Sequence, residues 1–569
     1  MSKKSMCKAC WNITKAYLNS EEKWWARGML GVVVALNLAQ VYFMVELNTW
    51  YNDFYNVLQN YDYDQFWPLI GVFSGLAFFY IIAAVYAVYI RQMLEIRWRT
   101  WMTRRYLDSW MGHQVFYRMK VLGTDLDNPD QRISEDINQF ITYTLTLSLG
   151  LLKQLTILAA FVVILWNLSG TIDIPAGDSV LSIPGYMVFI SLFYAICGTW
   201  LADKVGHKLI GLNFDQQRYE ADFRFNMVRV RENAESVAFY GGEEPELMGF
   251  RERFSCVIKN FWSLMRQTKL LNFYIHGYAQ LAVIVPLIMA APKYFGGEMQ
   301  LGGLMQTISA FGRVQDALSY FVESYDSIAS YIAVLRRLDG FTGHMAEVDS
   351  MEDAFIRAYE GNKAVCLETF NVRLPDNRLL IDSLELNLMP GERLLISGRS
   401  GCGKSTLLRA LAGIWPYGSG KASFMEGTRY LFLPQRPYLP LGSLRRAIYY
   451  PQPVPENETD NLAQLMERAG IGGLASSLDE VDDWSRILSL GEQQRLAFVR
   501  ILLYKPQVLF LDESTSALDE ENERSVYELI RRELPDTACI SVGHRSSLAA
   551  YHDKRLKLDG NGGWQLEDI

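Results

Sequence analysis

The sequence predicts two domains of different class: an α-helical membrane region of six spans with long helical extensions, then an α/β domain on a mainly parallel sheet. Three observations carry this prediction. Apolar stretches long enough to cross a bilayer recur through the first 325 residues. After about residue 345 the hydropathy falls, and short β-rich runs alternate with helical ones. Within that second part a glycine-rich loop stands between a strand-like run and a helix, in RLLISGRSGCGKSTLLRAL. A chain of 569 residues also exceeds what one hydrophobic core serves, so at least two domains are expected.

Half of the residues are apolar and 13% aromatic, yet 21% are charged, a mix that fits membrane segments joined to an ordinary soluble domain. The net charge of −8, with no basic arm or tail, argues against a nucleic-acid partner held by counterion release. Seven cysteines are scattered, and only Cys7 and Cys10 are close. One C-x-x-C without a second pair or nearby histidines suits free thiols in a reducing compartment better than a zinc site.

Residues 1–25 carry lysines but no apolar run, so they read as a cytoplasmic or interfacial segment and not as a cleaved signal peptide. The membrane domain is expected over 26–340. Its first span covers Ala26–Tyr51, and five more fall near 67–90, 143–167, 180–202, 273–291 and 303–325, the last being the least apolar. Lysine and arginine set the orientation. The connections at 50–66 and 167–180 have neither and should face outward, whereas Arg91, Arg97, Arg99, Arg104 and Arg105, and later Lys204, Lys208, Arg218 and Arg224, place the two long connections and both termini inside. Those inner connections have helix-like charge spacing and few breakers, so spans should continue as helical stalks.

A linker is expected over 341–361 and the α/β domain over 362–569. In its loop, Gly398, Arg399, Ser400, Gly401, Cys402, Gly403, Lys404, Ser405 and Thr406 follow the strand-like Leu394–Ile396. Glycines let backbone N–H groups approach phosphates, the helix N-terminus favours negative charge, Lys404 reaches the β and γ oxygens, and the Ser405 hydroxyl can bind Mg²⁺. In VLFLDESTSALD, an apolar strand ends in Asp512, placed to hold Mg²⁺, and Glu513, placed to polarise the attacking water. Together these imply a nucleoside triphosphatase.

Between the two lies LSLGEQQRLAFVR at 488–500. The phosphate loop, Gln435 in LFLPQRPY, LSLGEQQR, DE at 512–513, SALD at 516–519 and His544 in SVGHRS occur in the order found in ATP-binding cassette (ABC) ATPases, which the second half of the chain resembles. The resemblance implies that Ser489 and Gly491 contact ATP held by the other subunit, that Gln435 senses Mg²⁺ and water, that Asp519 belongs to the nucleotide site, and that His544 holds the γ-phosphate. It implies ATP and Mg²⁺ as cofactors and a homodimer in which the second copy completes both sites. Two departures stand out. Leu490 replaces the glycine of the commonest signature, LSGGQ, and no adenine-stacking aromatic is evident upstream of the phosphate loop, where Phe370 reads better as a core or strand residue.

NPDQRISEDI at 128–137, RENAESVAFYGGEEPE at 231–246 and LNTWYNDFYNVLQ at 47–59 resemble exporter-type half-transporters of subfamily D and their bacterial relatives of the SbmA/BacA and YddA type. That likeness implies a multi-pass protein of the bacterial inner membrane with its ATPase domain in the cytoplasm. It also implies that Asp130, Gln131, Arg132, Glu235 and Glu243 lie where membrane helices meet the ATPase. The expected activity is ATP-driven transport of an amphipathic or bulky solute, such as a peptide, a corrinoid or vitamin-like compound, or a fatty-acyl compound. A regulatory ATPase tethered to the membrane without solute flux is an alternative; so is a soluble-type ABC function in translation or repair, which six spans disfavour. One substrate clue comes from helical geometry: at 100° per residue, Arg313, Asp316 and Glu323 fall within about 80° of one another, a charged face expected to line a pathway.

Overall fold

The computed structural model of the chain describes residues 3–122, 128–176, 179–456 and 462–569. The chain divides into a unit of Met1–Asp108 with Asp127–Thr342, and a second unit of Ser109–Leu126 with Gly343–Ile569.

The first unit is helical. A short α1 (Lys3–Leu18) precedes α2 (Lys23–Gln59), α3 (Tyr63–Met111), α4 (Ile137–Ser169), α5 (Tyr186–Glu232), α6 (Glu243–Phe295), α7 (Leu301–Glu323) and α8 (Tyr325–Asp349). At 1.5 Å per residue the 53 residues of α6 run about 80 Å, against a hydrocarbon core of about 30 Å. The expected helical extensions are therefore present. Phe78, Phe79, Val85 and Tyr86 on α3, with Leu281 and Ile288 on α6, leave large apolar side chains exposed, as a lipid-facing surface requires. The core lies where α2, α4, α5 and α7 meet, around the fully buried Phe161, Leu165, Ala310 and Phe311.

One expectation changes here. The fourth span starts at Tyr186 and not at 180, because Thr171–Ala176 (β1) and Ser179–Pro184 (β2) pair antiparallel, with Ile172 opposite Ile183. The alternation in TIDIPA has the period of a strand, and Pro184 with Gly185 prevents helix from starting earlier. Among the described residues, five helical segments, Lys23–Gln59, Tyr63–Val121, Pro129–Ser169, Tyr186–Glu232 and Glu243–Phe295, are long and apolar enough to cross a membrane. Helix α7 is not among them. It packs against α2, α4, α5 and α6, so most of its surface faces protein; Gly302, Gly303, Gln306, Thr307 and Gln315 can then occupy it where lipid would demand larger apolar groups.

The second unit is α/β. A four-stranded sheet runs in the order β3 (Ile356–Tyr359), β7 (Gly418–Phe424), β4 (Val365–Arg373) and β5 (Leu379–Leu388). A six-stranded sheet comprises β6 (Arg393–Gly398), β8 (Tyr430–Leu433), β9 (Val508–Asp512), β10 (Ala538–Val542), β11 (Lys554–Leu558) and β12 (Trp564–Asp568), in the order β12, β11, β6, β10, β9, β8. All of its pairings are parallel except the outer β11–β12 pair. Buried on both faces, Val508–Leu511 and Ala538–Val542 are continuous apolar or small runs, and Phe432 stacks on Phe510 with centroids 4.0 Å apart. Phe370 is fully buried and stacks on Phe355 at 4.5 Å, a core residue.

The stretch read as a linker, 341–361, is structured: α8 continues to Asp349, and β3 joins the sheet through Ile356–Tyr359 beside Lys421–Phe424. The segment Ser109–Leu126 joins this unit through an Arg118–Asp353 ion pair and the packing of Val121 on the sheet core.

Candidate functional site

The parallel strands β6, β9 and β10 end side by side, and the loops leaving them carry the predicted chemistry. Residues 398–406 link β6 to α9 (Lys404–Leu411). Gly403 caps that helix at φ +99, and a Cβ there would come within 3.0 Å of Leu380. Gly401, at φ +82, has no atom within 4 Å of a Cβ position, so the loop's middle stays open. Arg399 and Ser400 are exposed on this loop, Cys402 is buried beneath it, and Thr406 lies in the first turn of α9. Lys404 is buried to 8% exposure and folds back across the loop, donating to the carbonyls of Gly398 at 3.0 Å and Arg399 at 3.1 Å.

Ser405 donates its hydroxyl to Asp512 Oδ1 at 2.8 Å, joining the phosphate loop to the tip of β9. Burial pushes the Asp512 carboxyl above the usual carboxylate range, against the Ser405 hydrogen bond and the nearby Arg409 and Lys404 charges. A hydroxyl and a carboxylate are hard oxygen donors of the kind magnesium takes, and the pair fits that ion. The open loop, the helix N-terminus and Lys404 likewise suit a nucleotide's phosphates.

Glu513 follows with φ +47, a left-handed conformation that costs a non-glycine residue about 1 kcal/mol. Its N–H donates to the Val542 carbonyl at 3.1 Å and its own carbonyl accepts from Ser516 N at 3.0 Å, which holds the twist. The twist leaves the Glu513 carboxylate partly exposed beside Gln435, whose Nε2 donates to Glu513 Oε2 at 3.3 Å. His544 is exposed two residues beyond Val542, on the loop leaving β10. The structure thus gathers the phosphate loop, Asp512, Glu513, Gln435 and His544 at one end of the sheet.

Ser489 and Gly491 open α10 (Leu490–Tyr504). Both Ser489 and Leu490 are exposed, and the side chain of Ser489 bonds to Glu492, with no hydrogen bond to the phosphate loop among the described residues. Asp519 is the exposed N-cap of α11 (Glu520–Glu533), accepting from Asn522 N at 2.7 Å, and that bond holds its carboxyl below the usual range.

Two buried connectors escaped the sequence reading. Gln494, fully buried on α10, donates to the Gln435 carbonyl at 2.9 Å and accepts from Ala517 N at 3.0 Å, tying three motifs to one amide. Glu523, 1% exposed, accepts from Thr515 at 2.6 Å and Ser547 at 3.2 Å and faces Arg545 at 3.5 Å. Arg545, beside His544, donates to the Leu518 carbonyl at 2.8 Å and the Ser516 carbonyl at 3.2 Å. Of the two, only Gln494 stands inside a motif block, and that position was the sole hint.

In the first unit, α7 has three exposed residues among its described side chains: Arg313, Asp316 and Glu323. The open side of this otherwise enclosed helix is its charged side. Lys153 on α4, which the sequence reading missed, donates to Gln40 on α2 at 2.7 Å and has Arg313 as its charged neighbour. Asp130 and Gln131 are exposed, as are Glu235 and Glu243. Arg132 differs: it is 4% exposed and paired with the buried Asp136, which Arg337 also engages at 2.6 Å.

The family described as ABC transporter transmembrane region 2 matches residues 13–295, and the ABC transporter family matches 381–516. The chain is 34% identical over 516 residues to the inner membrane ABC transporter ATP-binding protein YddA of Escherichia coli (strain K12), covering 90% of this chain and 91% of that protein. It is 27% identical over 582 residues to the lysosomal cobalamin transporter ABCD4 of Homo sapiens, covering 95% and 93%. A solved structure of a bacterial Atm1-family ABC exporter with ATP bound superposes with a TM-score of 0.69 at 19% identity, covering 95% of this chain and 94% of that one.

Proposed function

Because the chain belongs to the ABC transporter family, with membrane region and ATP-hydrolysing domain in one polypeptide, we propose that it works as a homodimeric half-transporter moving an amphipathic or bulky solute. The observation that carries the transport reading is the open charged side of α7. On a helix otherwise enclosed by α2, α4, α5 and α6, Arg313, Asp316 and Glu323 would each cost about 2.5–3.5 kcal/mol against lipid at mid-depth. They belong instead in a water-filled pathway, with α7 as the sixth span and a second copy across from it. Lys153 contributes a further cation near Arg313.

In this reading the ATPase domain faces the cytoplasm of a bacterial inner membrane, as the arginine-rich inner connections favour. Lys404, released from the Gly398 and Arg399 carbonyls, binds the β and γ oxygens of ATP. Ser405 and Asp512 would hold magnesium, which would supply charge neutralisation on those phosphates. Glu513 accepts a proton from the attacking water, Gln435 holds that carboxylate in place, and His544 contacts the γ-phosphate. Ser489 and Gly491 serve the ATP bound by the partner. Asp130, Gln131, Glu235 and Glu243, exposed on their turns, form the contact between membrane helices and ATPase, and Arg132 braces that turn through Asp136 and Arg337.

Relatives named as carriers of cobalamin make corrinoids one solute class to test beside peptides, thiamine-type compounds and fatty-acyl thioesters. The experiment is ATPase stimulation of the purified protein across those four classes, followed by ATP-dependent flux in sealed vesicles of known orientation. Stimulation and flux by one class are expected. ATPase activity with no flux of any of them would favour a membrane-tethered regulatory ATPase.

A further inference from the structure

Helix α10 begins with a reciprocal cap. Ser489, its N-cap, accepts the Glu492 N–H at 3.4 Å, and Glu492 Oε2 accepts two donors from Ser489: the backbone N–H at 2.9 Å and the hydroxyl at 2.7 Å. These bonds hold the Glu492 carboxyl below the usual carboxylate range, the Ser489 hydroxyl contributing most. A serine hydroxyl has one proton. In this geometry that proton is committed to a carboxylate within the same turn.

The consequence rests on the reading that Ser489 meets the γ-phosphate of ATP held by the partner copy. Phosphate oxygens only accept, so Ser489 must donate, and it cannot donate its one proton to phosphate and to Glu492 together. We propose that Glu492 is a positioning residue that latches the Ser489 hydroxyl, so that partner-held ATP must displace the carboxylate before the composite site closes. A charge-assisted O–H···O⁻ bond is roughly twice as strong as a neutral one, which makes the carboxylate a stronger competitor than an amide. The latch raises the ATP concentration needed for closure. It acts before hydrolysis and leaves the chemical step to other residues.

Glu492→Gln tests this, because glutamine also completes a capping box and so preserves the helix start. In the full-length protein reconstituted in lipid, with ATPase rate followed against ATP concentration, Glu492→Gln should lower half-saturating ATP about fivefold, by more than kcat moves. An unchanged or raised half-saturating concentration overturns the latch. Ser489→Ala separates the premise from the inference: if it leaves the ATP dependence untouched, the reading of Ser489 as an ATP contact fails first. If Ser489→Ala weakens ATP while Glu492→Gln changes nothing, the latch alone fails. In the double variant the gain from Glu492→Gln should vanish, since no hydroxyl remains to release; a gain that persists would assign the effect to charge repulsion and overturn the latch.

Discussion

In the ATPase unit the polar side chains at the sheet ends are tied to one another: Ser405 to Asp512 at 2.8 Å, Gln435 to Glu513 at 3.3 Å, and Gln494 to the backbones of both neighbouring loops. In the membrane unit the charged side chains of α7 share one open side, and what they face is set by whatever lies across from that helix. One half therefore displays its chemistry within a single chain; the other displays only a boundary. Variants should separate them by size of effect, with losses in the ATPase half exceeding shifts in the membrane half.

The largest effect is expected at Glu513. Glu513→Gln keeps the size of the side chain and its bond to Gln435 but removes the base, so steady-state ATP turnover should fall by about 10²- to 10⁴-fold while ATP stays bound. Turnover assays with retained-nucleotide measurements check this. Near-normal hydrolysis would move the base elsewhere and undo the contrast between the halves.

The smallest effect is expected on α7. Glu323→Gln should shift the solute concentration that half-stimulates the ATPase by about fivefold, the difference between a charged and a neutral partner, and leave the unstimulated rate nearly constant. Parallel loss of both rates would make Glu323 structural, and no change in either would place it outside the pathway.

What could be read from sequence follows the same division. Phosphate loop, Walker-type strand end and signature are short, contiguous stretches whose chemistry depends on local backbone geometry, so Gly401, Lys404, Ser405, Asp512 and Glu513 could be placed before any fold was known. Gln494 and Glu523 could not, because their importance lies in partners 22 to 59 and 8 to 24 residues away and in full burial. Hydropathy located the helices that face lipid and understated α7, whose neighbours are protein. It also merged the start of α5 with β2, since an apolar run such as SVLSIP has no helical period of its own. Arg132, read as lying where membrane helices meet the ATPase, is drawn inward by Asp136, a pairing four residues apart that spacing alone permits but does not require.

The central claim, that each ATP site is shared between two copies, is tested most directly by mixed dimers in a Glu513→Gln background, counting ATP retained per dimer. With Lys404→Ala in one copy and Ser489→Arg in the other, both changes fall on one composite site and the other is intact, so one ATP should be retained. With both changes in one copy, each composite site is hit once and none should be retained. The reverse pattern, none in the first arrangement and one in the second, would mean that each chain holds a complete site of its own and would contradict the account.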